Sequence, residues 1–289
     1  MVRLARTVAL VASLVALAAG GAGCKDKGKL SADGARASLD TLTALTVKDV
    51  EEVERGLPEG SKRIASAFAK DGDPKNDLAQ VRRSLLKIRR EVPDLLVAKS
   101  TFFALVDDKG IAIRNDLEQD AMAGKDVVGA YPALKKALEG ESFVTTTGVF
   151  PSANPPPQPD KEWVAAVPVK RDDGKLLGML VTGWTYRRFA YHLQESMRRD
   201  ISEALMKGGD KGKLPVLYTF VFDASGVYGA RGTPDVNEKA MRELDVLGKT
   251  ASGPQGGVIT ITDRQYGWAA ARTPKLGPDI GIAVLRSEI

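Results

Sequence analysis

The sequence predicts an α+β protein in which two five-stranded antiparallel sheets follow one another behind a long N-terminal helix. Three observations predict it. Residues 76–92 carry Leu78, Val81, Leu85, Ile88 and Val92 at alternating three- and four-residue spacing, the apolar stripe of an amphipathic helix. From Phe102 the period falls to that of strands, with turn residues between the runs. The same order of strands and helix returns after Gly208-Gly209, which indicates a duplicated domain.

The chain opens with Arg3 and Arg6, continues through an apolar stretch from Val8 to Ala19, and reaches Gly20-Gly21-Ala22-Gly23 before Cys24, its only cysteine. About a dozen apolar residues suit a signal-peptide core and are too few to span a bilayer. The small residues admit a signal peptidase, although the usual lipobox has a leucine where this chain has Gly21. The expected product is a bacterial lipoprotein acylated on Cys24, held in the cell envelope on the periplasmic side of the inner or outer membrane. Lys25, rather than Asp, weakly disfavours inner-membrane retention by the enterobacterial sorting rule. With one cysteine no intramolecular disulfide can form, so stability rests on the core, which 43% hydrophobic residues can supply.

Residues 1–23 are thus read as signal peptide and 24–75 as a tether with helical segments. Leu39, Leu42 and Leu45 suggest a first helix; Thr46 with Asp49 resembles a capping box opening a second, which stops near Gly56; Ser61 to Lys70 suggests a third. Residues 76–185 hold the long helix, ended by Pro93, and the first sheet unit. Its strands are Phe102–Val106, Ile111–Arg114, Ser142–Phe150, Glu162–Lys170 and Lys175–Trp184, with a helical stretch around Tyr131 to Leu138. The Pro-rich run from Pro151 to Pro159 cannot donate in a ladder and reads as an exposed loop. A connecting helix spans 186–212, and 213–289 form the second unit. Asp107-x-x-Gly110 matches Asp223-x-x-Gly226, Trp163 matches Trp268, and Gly178 matches Gly281. On that alignment Arg114 falls opposite Ala230.

The formal charge of +5 marks a mildly basic surface. Arg82-Arg83, Arg89-Arg90, Arg187-Arg188 and Arg198-Arg199 sit among acids without interleaved aromatics, as on solvated helix faces, so nucleic acid is not an expected partner. His192, the single histidine, excludes a His-dependent triad or a multi-His metal site and reads as a helix-surface residue. Ser84-x-x-Lys87 lacks the companion motifs of penicillin-interacting enzymes. Asp71 to Asp77 concentrates oxygen ligands, yet Lys75 and Asn76 break the EF-hand pattern. Asp116, Glu118 and Asp120 read as a helix N-terminus. No catalytic constellation, metal site or cofactor emerges.

Phe103-Ala104-Leu105-Val106-Asp107-Asp108-Lys109-Gly110, Ala166-Val167-Pro168-Val169 and Leu177-Gly178-Met179-Leu180-Val181 resemble the PAS-like Cache family of extracytoplasmic sensor domains, and two such units behind one helix look like the double-Cache arrangement over about residues 76–288. The resemblance implies a small-molecule pocket, often in the N-terminal unit. The amino-acid-binding members carry Tyr, Arg, a Trp-Tyr pair and a later Asp; Tyr186 to Tyr191 lacks that pair, so their specificity is not transferred. By position the pocket candidates are Arg114, for an anionic group, with Tyr131, Trp163 and Thr182. The expected function is ligand binding by a sensor accessory lipoprotein acting through a partner. The alternative is a non-catalytic envelope scaffold.

Overall fold

A computed structural model describes residues 27–68, 72–95, 102–151, 159–208 and 213–288. Cys24 and residues 1–23, expected to be a signal peptide, lie outside the described residues. Helix α1, Lys27–Ala67, is one uninterrupted element of 41 residues where three shorter helices were expected. The sequence signals that suggested breaks serve packing instead. Gly56 and Gly60 are points of close approach, since a Cβ would lie 2.8 Å from Leu95 Cγ at the first and 3.0 Å from Ile88 Cγ2 at the second. Pro58 sits inside the helix, and the buried stripe of Leu39, Leu42, Val50, Val53, Leu57 and Ile64 holds the helix together through it. Burial of such side chains contributes about 1.5–3 kcal/mol each, against about 3 for a helical proline. Thr46 is not a cap: its hydroxyl donates to the Leu42 carbonyl within the helix at 2.8 Å.

Helix α2, Leu78–Glu91, follows, capped by Asp77, whose carboxylate accepts from the Gln80 amide at 2.8 Å. It has 14 residues, so the long N-terminal helix is α1 and not the stripe at 76–92. The first sheet comprises β1 (Phe102–Val106), β2 (Ala112–Asn115), β3 (Val144–Gly148), β4 (Glu162–Lys170) and β5 (Leu176–Thr185) in the order β2-β1-β5-β4-β3. Helices α3 (Val127–Ala130) and α4 (Lys135–Leu138) cross between β2 and β3. Helix α5, Tyr186–Lys207, leads to the second sheet of β6 (Val216–Asp223), β7 (Gly226–Gly229), β8 (Gln255–Ile261), β9 (Arg264–Arg272) and β10 (Gly281–Ser287), ordered β7-β6-β10-β9-β8. Helices α6 (Asp235–Glu243) and α7 (Val246–Lys249) cross between β7 and β8. Equal strand order, all antiparallel, establishes the duplication.

The register corrects two of its three sequence anchors. Asp107 follows β1 and Asp223 ends β6, but the Asp107 amide donates to the Ile111 carbonyl at 2.8 Å whereas Asp223 pairs with Gly226. A bulge in the first hairpin then leaves Leu105 opposite Arg114, while Val221 faces Tyr228. Arg114 therefore corresponds to Tyr228 and not to Ala230. Val106 pairs Met179 where Phe222 pairs Gly281, and Pro168 pairs Met179 where Arg272 pairs Gly281. Counting along β4 and β9, Val164 corresponds to Trp268, Trp163 to Gly267 and Glu162 to Tyr266. The tryptophans point to opposite faces, because a one-residue slip in a strand exchanges the faces.

One core lies between the sheets and the helices: α1, α2 and α5 bury Phe103, Leu105, Trp163, Leu180 and Trp184 of the first sheet and Val221, Ala269, Ile282 and Val284 of the second. At Gly267 the α1 backbone touches the sheet, since a Cβ there would lie 2.0 Å from the Ser31 carbonyl oxygen. Each sheet's outer face carries its own smaller core, with Val127, Tyr131 and Leu134 over the first and Met241 and Val246 over the second.

Candidate functional site on the outer face of the first sheet

β4 alternates Trp163 and Ala165 toward α1 with Glu162, Val164 and Ala166 toward the outside. Glu162 is thus a carboxyl on an otherwise apolar face. The crossover brings Tyr131 onto it: α3 is capped by Asp126, whose carboxylate accepts from the Gly129 amide at 2.6 Å, and the chain turns at Tyr131 before Pro132. The Tyr131 hydroxyl donates to Glu162 Oε2. Its ring stacks on Phe150 with centroids 6.2 Å apart, and Lys125 Nζ stands 5.5 Å from the Phe150 centroid. Gly148 is required beneath, because a Cβ would lie 2.8 Å from the Tyr131 ring.

The electrostatics favour neutral groups here. Burial, with the charge of Asp160, raises the Glu162 carboxyl above its ordinary range, and the Tyr131 hydrogen bond opposes the rise. Burial raises Asp160 as well, against hydrogen bonds from Thr185 and the Arg187 amide. Tyr131 is pushed up by burial and by the Glu162 charge, so it remains a phenol. The arrangement offers a phenol, a carboxyl and an aromatic ring. Among the described residues of this face no nucleophile is paired with a base.

Beside it lies the junction of the two units. Lys161 Nζ donates to Asp223 Oδ2 at 2.5 Å, and the Tyr186 hydroxyl donates to the same oxygen at 3.0 Å. Asp223 titrates below its usual range: burial would raise it, but Lys161 and Ser225 outweigh burial. Arg187 clamps both Glu238 oxygens and the Gly229 carbonyl. A cleft of about 400 Å³ opens over this network between Thr145–Thr147 of β3 and Leu276–Ile280 of the second unit.

The sequence-predicted residues do not converge. Tyr131 lies on the outer face as described. Trp163 lies on the opposite face, fully buried, stacked on Trp184 at 4.3 Å and donating from Nε1 to the Leu276 carbonyl at 3.0 Å. Thr182, also fully buried, donates to the Phe102 carbonyl at 2.8 Å and pairs across the sheet with Phe103 of the helix-side core. Arg114 bonds Asp120 at 3.0 Å and the carbonyls of Leu117 and Glu118, and borders a groove against α2. Asp116 and Asp120 do not begin a helix. They fold a loop around themselves, Asp116 accepting from the Phe103 amide at 2.9 Å and Asp120 from the Asn115 and Met122 amides at 2.9 and 2.8 Å.

His192 is no surface residue either: its Nε2 lies 3.0 Å from Asp49 Oδ2 and ties α5 to α1. Glu162 and Phe150 were missed. The available signal was Glu162's place in the β4 alternation, a lone acid in phase with Val164 and Ala166.

Among the described residues no group of His, Cys, Asp and Glu could hold a metal ion, and no helix is long and apolar enough to cross a membrane. No protein-family model matches the chain, and no curated protein sequence matches it. Solved structures do. The extracellular domain of vpHK1S-Z8, a protein assigned as a histidine kinase, aligns with a TM-score of 0.60 at 9% identity over 91% of this chain and 93% of that one. The ligand-binding domain of the Campylobacter jejuni chemoreceptor Tlp3, in complex with 4-methylisoleucine, aligns at 0.51 and 12% identity over 91% and 93%. An extracellular ligand binding receptor from Desulfohalobium retbaense aligns at 0.50 and 14% identity over 87% of this chain, which spans 40% of the receptor's length. With paired five-stranded antiparallel sheets behind a long N-terminal helix, the chain shares the α+β fold of these domains.

Proposed function

We propose that the protein is an extracytoplasmic small-molecule-binding module whose site is the outer face of the first sheet at Tyr131, Glu162 and Phe150. The observation that carries this reading is Glu162: a carboxyl on an apolar face, meeting a buried phenol, while the corresponding residue of the second unit is Tyr266. Burying such a group costs free energy unless a partner hydrogen-bonds it, and a ligand bearing a donor can serve that role. Structures of this fold include a domain solved with 4-methylisoleucine bound, so amino acids and related amines are the first class to screen. Of the four predicted contacts, this reading keeps Tyr131 and leaves Arg114, Trp163 and Thr182 outside the site.

In the same reading Cys24 carries a lipid that holds the module at the envelope membrane, and an envelope or receptor protein reads the bound state. Native mass spectrometry of the purified protein tests it. A carried small molecule in the wild type that is absent from Glu162→Gln supports the proposal; none in either, with no stabilisation by any of the twenty L-amino acids, contradicts it. One observation favours the second reading, a scaffold: Met122, Val127, Tyr131 and Leu134 already cover the outer face.

A further inference from the structure

Three guanidinium groups border one groove on the other side of the first sheet. Arg82 and Arg83 of α2 and Arg114 of β2 line it with Leu78, Ala79 and Ala123, enclosing about 440 Å³. Two of these cations face no acid among the described residues. Arg114 is neutralised by Asp120 at 3.0 Å, and Arg89, two turns beyond Arg82 on the same helix, bonds Asp116 at 2.5 Å. Arg83 meets only the neutral Gln80 Oε1, at 2.9 and 3.2 Å. Arg82 forms no ion pair among the described residues, and its Nε is buried without an acceptor. Guanidinium groups without a counter-charge at the edge of a groove favour an oxyanion there through charge-assisted hydrogen bonds.

We infer that this groove is a phosphate-group site. A single carboxylate is satisfied by one guanidinium fork. Two uncompensated cations beside a third arginine suit instead a group with about two negative charges and three acceptor oxygens, as a phosphate monoester carries near neutral pH. Leu78, 47% exposed at the rim, with Ala79 offers an apolar wall for the carbon part of a phosphorylated ligand. The phosphate can come from a free phosphorylated molecule or from the phosphomonoester headgroup of phosphatidic acid. The groove is independent of the Tyr131–Glu162 face, from which the sheet separates it.

The test uses the full chain carrying Cys24→Ser, so that no acyl group contributes, with inorganic phosphate as probe. Calorimetry at low salt should show saturable binding to one site, weakened at least tenfold in Arg82→Gln and only partly in Arg82→Lys. Glu162→Gln should leave it unchanged, which separates failure here from failure of the outer-face site. Flotation with phosphatidylcholine vesicles, with and without phosphatidic acid, distinguishes the sources. Arg82-dependent binding confined to the phosphatidic acid vesicles assigns the phosphate to a lipid headgroup. Equal binding by wild type and Arg82→Gln in both experiments, or binding in neither, overturns the inference. The unliganded melting temperature of each variant confirms the fold.

Discussion

The two sheet units share every strand connection and differ in what stands at equivalent places on their fourth strands. The first has Glu162, Trp163 and Val164; the second has Tyr266, Gly267 and Trp268. On the helix side, Trp163 fills the space with a stack through Trp184 to Phe189, with centroids 4.3 and 4.7 Å apart, whereas Gly267 leaves room for the α1 backbone to reach the sheet. On the outer side the contrast reverses: Tyr266 and Trp268 enlarge the second unit's apolar core, while Glu162 introduces a polar group into the first. A duplicated fold can thus assign one copy to anchoring the long helix and leave the other a polar outer face.

The largest expected effects attack the helix side. Trp163→Ala should lower the unfolding free energy by about 3–5 kcal/mol, the cost of an aromatic deletion in a core. Gly267→Val should cost about 3 kcal/mol or more by pushing α1 off β9. Urea denaturation measures both, and a loss below 1 kcal/mol in either would break the contrast. Next comes the junction. Asp223→Asn should cost about 2 kcal/mol at neutral pH, because Lys161 is left without its counter-charge in a half-buried site. Because the folded state holds Asp223 below its usual value of 3.8, its contribution is present above that pH and is lost as pH falls through the lower folded value. The gap between variant and wild type should therefore close in acid.

The smallest effects sharpen the comparison most. Tyr131→Phe should cost about 1 kcal/mol for a lost hydrogen bond. Glu162, raised in the folded state, contributes stability fully below its unfolded value of about 4.5 and loses it as pH rises through the folded value. Glu162→Gln should accordingly flatten the decline in melting temperature above pH 4.5, and Tyr266→Phe should not.

Local chemistry made some of this legible. The Asp-x-x-Gly turns were readable because a carboxylate accepting the amide two residues on, as Asp107 does from Lys109 at 2.9 Å and Asp223 from Ser225 at 2.7 Å, is a property of a few residues. Strand order followed from those turns and from the alternating runs. The tryptophan match misled because composition does not reveal strand register, and the Arg114–Ala230 match because of the bulge in the first hairpin. Gly56 looked like a helix end because its close contact, to Leu95, is made by a residue more than 25 positions away. The Tyr131–Glu162 pair, 31 residues apart, was invisible for the same reason.

The central claim is that the first unit, through Glu162, binds the ligand. Thermal-shift screening of the wild type against the twenty L-amino acids, followed by calorimetry of any hit on Glu162→Gln and Tyr266→Phe, tests it most directly. The account predicts at least tenfold weaker binding in Glu162→Gln and unchanged binding in Tyr266→Phe; unchanged binding in Glu162→Gln, or loss only in Tyr266→Phe, would contradict it.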